Sequence, residues 1–352
     1  MPDGTSPRRP APFASPRWLP GGHAQTIYPY FLPRPGVAYR RERIATHDGD
    51  FWDVDWLARA PGIAADAPLV VLFHGLEGSA GSHYALHLMA LLAAQGWRGV
   101  VPHFRGCGGA PNARPRAYHS GDHEEVGAML AALRARVDPR TPVYAVGISL
   151  GGSALLNWVG RAGSSATRTL VAAAAISVPL DLMASGIAIG QGLNRVYTWH
   201  FLATLKPKAH DIARRFPGSL DVRRIARVRT MWDFDDVVTA PLHGFAGADD
   251  YWTRASSKPW LARIAVPTLV LNARNDPFIP AASLARTAEV SPQVLLEQPE
   301  HGGHAGFATG PFPGRLDWLP RRLLVWFDNA ARDDGGHGAS SEIAPGGPGT
   351  SA

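Results

Sequence analysis

The stretch TPVYAVGISLGGSALLNWVG, Thr141 to Gly160, decides the fold. Val143 to Val146 is a run of small, β-favouring apolar residues, long enough for a buried strand. Gly147-Ile148-Ser149-Leu150-Gly151 follows without a gap, and an Ala/Leu-rich segment with helical composition comes next. Strand, G-x-S-x-G and helix in that order are the context of a nucleophile elbow, where a strained turn lifts a serine hydroxyl above the sheet edge. Glycine is needed at 147 and 151 because a Cβ at either place would clash where strand and helix cross. A helix beginning at Leu150 turns an unpaired backbone N–H, and the positive end of its dipole, toward the hydroxyl. The competing reading is a tight βα turn with a capping serine, since G-x-S-x-G arises by chance in a chain with 38 glycines. The flanking strand and helix favour the elbow.

Upstream, Leu69 to Phe73 (LVVLF) is a fully apolar strand of the kind found inside parallel sheets. A helix is expected from about Ser82 to Gln95, a strand over Arg98 to Phe104 and a helix over Asp122 to Val137. Arg40 to Thr46 and Phe51 to Ala58 read as a hairpin around His47-Asp48-Gly49-Asp50, with Phe51, Asp53 and Asp55 on one face of the second strand. Downstream come strand Leu170 to Val178, strand Pro267 to Ala273, helix Ala281 to Glu289, strand Gln293 to Glu297 and helix Leu316 to Arg332. This βαβ rhythm implies an α/β fold with a mostly parallel central sheet flanked by helices. The rhythm breaks over 179–260, which reads as an inserted, mainly helical cap with pieces at Leu193 to Leu205 and His210 to Phe216. The core is then 21–178 plus 261–332, and 1–20 and 333–352 read as disordered tails.

With 352 residues, 45% of them hydrophobic and 18% charged, the chain can hold one large α/β domain with an insertion. The net charge of +6 does not indicate nucleic acid, because the cations are scattered arginines with no run longer than a pair. The single cysteine, Cys107, excludes an intrachain disulfide and fits a reducing compartment. The Pro-rich start has no apolar core of a secretory signal, and the longest apolar stretches fall short of the ~20 residues that span a bilayer. A cytoplasmic protein without stable membrane insertion is expected.

A serine hydroxyl is a weak nucleophile until a base takes its proton, and that base needs an acid to orient it. Asp276, in Asn275-Asp276-Pro277, and His304, in His301-Gly302-Gly303-His304, each follow a late strand, in the Ser…Asp…His order of α/β-hydrolases. The competing reading of Asp276 is an ordinary turn former, the catalytic acid being the favoured one. Asp181 is a rival acid and His301 a rival base, although Gly302-Gly303 leaves backbone room to turn His304 inward. The oxyanion would be held by the backbone N–H groups of Leu150 and of Leu76, in the loop HGLEGS. His83/His87 and His119/His123 stand at i, i+4 but lack a third ligand at suggestive spacing, so no metal is expected. Cys107 reads as packing, and no nucleotide-cofactor motif is present.

Those residues lie within a dense resemblance to the YheT-like α/β-hydrolases, bacterial relatives of the eukaryotic membrane-associated ABHD esterase/lipase group. The resemblance runs through HAQTI (His23 to Ile27), HGLEGS (His74 to Ser79), FRGCGG (Phe104 to Gly109), YHSGD (Tyr118 to Asp122), GISLGG (Gly147 to Gly152), FDDVVTAPLHGFAGADDYW (Phe234 to Trp252), NDPF (Asn275 to Phe278) and HGGHAGF (His301 to Phe307). It implies a triad on Ser149, Asp276 and His304. Asn275 stands where the family often has a second aspartate, which leans the acid toward Asp276. It also implies hydrolysis of short- to medium-chain carboxylic esters, a small-molecule substrate with no cofactor. The cap aromatics Trp199, Phe201, Trp232, Phe234, Tyr251 and Trp252 would roof an acyl pocket. The alternatives are another acyl reaction on the same triad (thioester, amide or lactone hydrolysis, or acyl transfer), or a non-catalytic lipid- or partner-binding protein.

Overall fold

The computed structural model describes residues 12–59 and 62–336, with side chains described to 332. Its centre is one eight-stranded sheet in the order β1-β2-β4-β3-β5-β6-β7-β8. The strands are β1 (Tyr39–Ala45), β2 (Phe51–Leu57), β3 (Leu69–Phe73), β4 (Arg98–Pro102), β5 (Val143–Ile148), β6 (Ala172–Ile176), β7 (Thr268–Leu271) and β8 (Val294–Glu297). β1 and β2 form an antiparallel hairpin and β2 pairs antiparallel with β4, while all other pairings are parallel. Every residue of β3, β5 and β6 is buried, as continuous apolar runs require when both faces of a sheet are covered.

Period-two alternation sorts those side chains. Val71, Phe73, Ala145 and Ala175 face α3 (His123–Arg134) and α4 (Leu150–Ala162), packing with Val126, Met129 and Leu155. Val70, Leu72, Val146 and Ile176 face the other way, onto Leu88 and Met89 of α2 (His83–Ala94) and Leu323 and Phe327 of α11 (Trp318–Gly336). Each Val, Leu, Ile, Phe or Met among these, fully withdrawn from water, contributes about 1.5–3 kcal/mol. The sheet therefore sandwiches between helices and presents the carboxyl ends of its parallel strands at one edge.

β2 departs from simple alternation: Asp53 and Asp55 are buried along with Trp52, Val54 and Trp56. The hairpin register sets Arg43 across from Asp53 and Arg41 across from Asp55, and each arginine pairs with its carboxylate at 2.7–3.0 Å. His103 Nε2 adds a third contact to Asp55 at 2.8 Å. Ion pairing thus lets two carboxylates sit in the interior.

Three other expectations are revised. Ala281 to Glu289 is not one helix but two short 3₁₀ turns, Ala281–Ser283 and Thr287–Glu289. Lys258 Nζ donates to the Ser283 and Leu284 carbonyls and Gln298 Nε2 to Ala285 O, so tertiary partners take the acceptors a helix would have used. The pieces at Leu193 to Leu205 and His210 to Phe216 are a single helix, α6 (Arg195–Arg215), that runs through Pro207. Its inward stripe of Leu202, Leu205, Ala209 and Ala213 continues across the proline and outweighs the lost hydrogen bond. Residues 12–20, expected to be disordered, are packed: the Phe13 ring meets Phe307 and Trp318 at 5.3 and 5.0 Å, Trp18 Nε1 donates to Gly310 O, and Leu19 is buried. Residues 333–336, also expected in a disordered tail, continue α11, and residues 1–11 and 337–352, the remainder of the expected tails, lie outside the described residues.

Short α1 (Gly22–Ile27) leads into the hairpin. Between β6 and β7 the chain is helical, with α5 (Leu182–Ile189), α6, α7 (Val222–Arg227), α8 (Met231–Phe234), a π-helical turn Asp235–Thr239, α9 (Ala240–His243) and α10 (Ala248–Ala255). This insertion has its own apolar cluster, Leu202, Leu205, Ile225, Phe234 and Val238 among its members, and it meets the core near Leu76. No helix among the described residues is long and apolar enough to cross a membrane.

Candidate active site

β5 ends at Ile148 and α4 begins at Leu150, so Ser149 is the whole connection. Its backbone is left-handed (φ 53°, ψ −120°), a strained state for a residue with a Cβ. The strain is held from both sides, by the Ser149 N–H donating to Ile176 O at 2.8 Å and by Ser153 N–H donating to Ser149 O at 3.0 Å. The two elbow glycines are obligatory. A Cβ on Gly147 would lie 2.5 Å from Gly152 Cα, and one on Gly151 would lie 2.4 Å from His74 O.

His304 Nδ1 and Asp276 Oδ2 are 2.8 Å apart, with the carboxylate fully shielded and the imidazole 12% exposed. Asp276 Oδ1 accepts the Phe278 N–H at 2.8 Å, so one oxygen fixes its own turn and the other faces the ring. A proton on Nδ1 would donate to that carboxylate and leave Nε2 as the acceptor nitrogen. Phe278 packs on the other side of the imidazole, ring centres 4.4 Å apart. Ser149 and His304 line the same cavity.

The rivals fall elsewhere. Asp181 caps α5, accepting the Ala184 N–H at 3.0 Å. His301 is exposed, with Nδ1 3.4 Å from Asn275 Nδ2.

The loop after β3 is built around a buried histidine. His74 Nδ1 donates to Gly75 O at 2.8 Å, and its Nε2 accepts the Phe104 N–H at 3.2 Å, which assigns the tautomer. Burial pushes the His74 pKa down to about 3, so the ring stays neutral. Gly75 O also accepts the Gly78 N–H at 3.0 Å. With that carbonyl fixed, the planar trans peptide turns the Leu76 N–H the opposite way, and Leu76 lines the cavity. Among the described residues, the N–H groups of Leu76 and Leu150 donate to no protein acceptor. The His-Gly pair marked this loop in the sequence; the tautomer lock became visible only with Phe104 in place.

The cavity holds about 470 Å³ between the sheet edge and the helical insertion. Leu182, Ile189, Phe201, Phe234 and Phe278 give it apolar walls, and Arg116, Lys208 and Arg215 line it as ion pairs with Asp122, Glu77 and Asp211. Of the six aromatics expected to roof it, Phe201, Phe234, Tyr251 and Trp252 do so. Trp199 and Trp232 instead face solvent at 72% and 42% exposure, Trp232 with its indole N–H on Asp249. Lys208 Nζ reaches Glu77 Oε1 at 2.7 Å and lies 3.8 Å from Cys107 Sγ, tying the insertion to the loop after β3. Burial pushes the Cys107 thiol up to about 11, an unreactive state that suits packing.

Of the histidines with a possible metal reading, His83 bonds Ala305 O at 3.2 Å, and the His119 ring stacks edge-on against His243 at 4.4 Å. No group of three or more His, Cys, Asp or Glu side chains among the described residues could hold a metal ion.

Comparisons with known proteins bear on the family and the fold. Residues 68–311 match the family model described as the alpha/beta hydrolase fold. The Escherichia coli (strain K12) protein named "Putative esterase YheT" is 38% identical over 90% of this chain and 93% of its own length. The human protein named "Phospholipase ABHD3" is 31% identical over 86% of this chain and 75% of its own. Among solved structures, the Pyrococcus furiosus esterase Pf2001 superposes with a TM-score of 0.52 at 16% identity, covering 83% of this chain and 92% of that one, a likeness of fold.

Proposed function

Because the chain belongs to the alpha/beta hydrolase family, on its YheT-like branch, we propose that it is a serine esterase whose triad is Ser149, His304 and Asp276. It acts on ester bonds; the finer reading is cleavage of short- to medium-chain acyl esters through an acyl-enzyme. The observation that carries the assignment is the 2.8 Å contact of His304 Nδ1 with the buried Asp276, on a cavity shared with a serine in a strained elbow.

Each group then has one task. His304 Nε2 takes the Ser149 proton as Oγ attacks the carbonyl carbon. Asp276 keeps the imidazole in the tautomer that leaves Nε2 free, and stabilises the imidazolium once formed. The oxyanion is held by the Leu76 and Leu150 N–H groups, each worth on the order of 10²–10³ in rate. Collapse expels the alcohol, which takes the proton from His304, and water activated by the same ring releases the acid. The helical insertion serves as a cap whose apolar walls take the acyl chain.

The test is labelling with a fluorophosphonate. Wild type should react covalently and Ser149→Ala should not, with hydrolysis of p-nitrophenyl esters falling by about 10⁴–10⁶. Equal labelling of both proteins moves the nucleophile elsewhere. A series of acyl chain lengths on the same assay reads out the substrate preference. A phospholipid acyl ester is the second reading, favoured by the relative named as a phospholipase. Release of fatty acid from phosphatidylcholine vesicles at a rate matching the best soluble ester would favour it.

A further inference from the structure

The loop that carries His304 cannot hold its own shape. Gly302 (φ 147°), Gly303 (φ 63°), Ala305 (φ 57°) and Phe307 (φ 47°) all take positive φ, and two of these bear a Cβ. Strain of that density persists only when neighbouring structure over-determines it. Ser177 Oγ accepts the Ala305 N–H at 2.9 Å on one side, and on the other α1, with Gln25 277 residues before Gly302, braces the turn that leads into His304.

Gln25 is 2% exposed and all four hydrogen-bonding positions of its amide are used. Its Oε1 accepts the Gly302 N–H at 2.8 Å and Asn275 Nδ2 at 2.9 Å, while its Nε2 donates to Leu19 O at 2.9 Å and Ser15 Oγ at 2.5 Å. One oxygen therefore joins the residue before Asp276 to the turn before His304. Asn275 Oδ1 closes the ring by accepting the Gly303 N–H at 3.1 Å. Thr26 completes the brace, accepting the His304 N–H on Oγ1 at 2.9 Å and donating to Gly22 O at 2.7 Å. Contact is too tight for side chains between these backbones: a Cβ on Gly22 would lie 1.8 Å from Asn275 O, and one on Gly306 would lie 2.2 Å from Gln25 O.

We propose that Gln25 and Thr26 are positioning residues of the active site, holding the acid loop and the base loop in register so that Asp276 meets His304 Nδ1. This rests on the triad reading above. The arm touches no reacting atom; it acts by fixing two backbones, and a misplacement of about 1 Å in an oriented catalytic group costs about 10²-fold in rate.

The test compares Thr26→Val, which is nearly isosteric and cannot accept the His304 N–H, with Thr26→Ser, which can. Gln25→Met and Gln25→Glu form a second pair, the glutamate keeping an oxygen for Gly302 and Asn275. With a p-nitrophenyl ester, Thr26→Val and Gln25→Met should each lower kcat by about 10–100-fold with KM within about twofold. Thr26→Ser should recover to within about threefold of wild type, and fluorophosphonate labelling of Ser149 should slow in step with kcat. Unchanged kcat in both Thr26→Val and Gln25→Met overturns the proposal. So does a uniform loss in Thr26→Val and Thr26→Ser that follows their melting temperatures, since that marks a purely structural role. If a variant fails to fold, the other pair decides. Wild type that neither labels nor hydrolyses would instead discard the triad reading, a result distinct from any of these.

Discussion

The elbow and the helical insertion solve the same problem, holding groups at one cavity, by different physics. At the elbow, backbone does the positioning. Ser149 is left-handed, its N–H is tied to Ile176, and a Cβ on either neighbouring glycine would enter backbone atoms at 2.4–2.5 Å. In the insertion, side chains do it: a capping box at Thr230 and Asp233, a buried Asp235 held by Thr239 and Trp252, and the Lys208–Glu77 pair reaching back to the core. Backbone constraint tolerates no substitution and leaves a short, local sequence signature. Side-chain constraint is replaceable piece by piece and is spread over a longer stretch, as Asp235, Thr239 and Trp252 show. Damage should therefore be severe and chemical at the sheet edge, and graded in the insertion.

The largest expected effect tests the sheet-edge half. Asp276→Asn preserves shape but can no longer dictate the His304 tautomer, so kcat should fall by about 10⁴ while KM and melting temperature change little. Asp181→Asn should keep near-normal kcat, because Asp181 caps α5 through Ala184. A reversed pattern would transfer the acid to Asp181.

Much of that half was legible because its constraints are local or ordered along the chain. Gly147, Ser149 and Gly151 sit within five consecutive positions, and Asp276 and His304 each follow a parallel strand, β7 and β8, at the sheet's carboxyl edge. What escaped reading depends on distant partners. Ala281 to Glu289 has helix-forming composition, yet Lys258 and Gln298 take its carbonyls. Phe13 and Trp18 lie in a Pro-rich stretch that looks disordered until Phe307, Trp318 and Gly310 arrive to meet them. Trp199 and Trp232 look like pocket lining by type, but helix rotation decides which aromatics face inward. No periodicity within α1 reveals that Gln25 completes a turn 277 residues later.

A middle-sized effect belongs to the insertion. Asp235 is buried with two neutral donors, Thr239 Oγ1 at 2.6 Å and Trp252 Nε1 at 2.7 Å, and burial raises its pKa from 3.8 to about 6. Below about pH 4 the carboxyl is protonated in folded and unfolded chains alike. Between there and about pH 6 the folded chain keeps a proton that the unfolded chain releases, so stability falls as pH rises. The loss is complete above that range and amounts to about 2–3 kcal/mol at 1.36 kcal/mol per pK unit. Asp235→Asn, which can still accept from Trp252 and donate to Thr239, removes the titration. The variant's melting temperature should therefore gain on wild type by a few degrees between pH 4 and pH 7. A gap that does not change with pH would contradict a neutral carboxyl at this site.

The smallest effect tests whether the two regions communicate at all. Lys208 Nζ meets Glu77 Oε1 at 2.7 Å, but the lysine side chain is 41% exposed, so the pair is worth under about 1 kcal/mol. Glu77 is nonetheless the residue after Leu76, the oxyanion donor proposed above. It holds a left-handed backbone (φ 55°), its N–H donates to the Tyr118 hydroxyl at 2.8 Å, and that hydroxyl donates back to Oε1 at 2.8 Å. Lys208→Met leaves the tyrosine contacts intact and removes only the tie from the insertion. The expected result is a kcat/KM lower by about 3–10-fold, with a coupling of about 0.5 kcal/mol to Glu77→Gln in a double-mutant cycle. Full additivity would mean that the helices roof the cavity without steering the oxyanion loop. A measurable coupling would mean that helical side chains reach the backbone-built centre through this one cation.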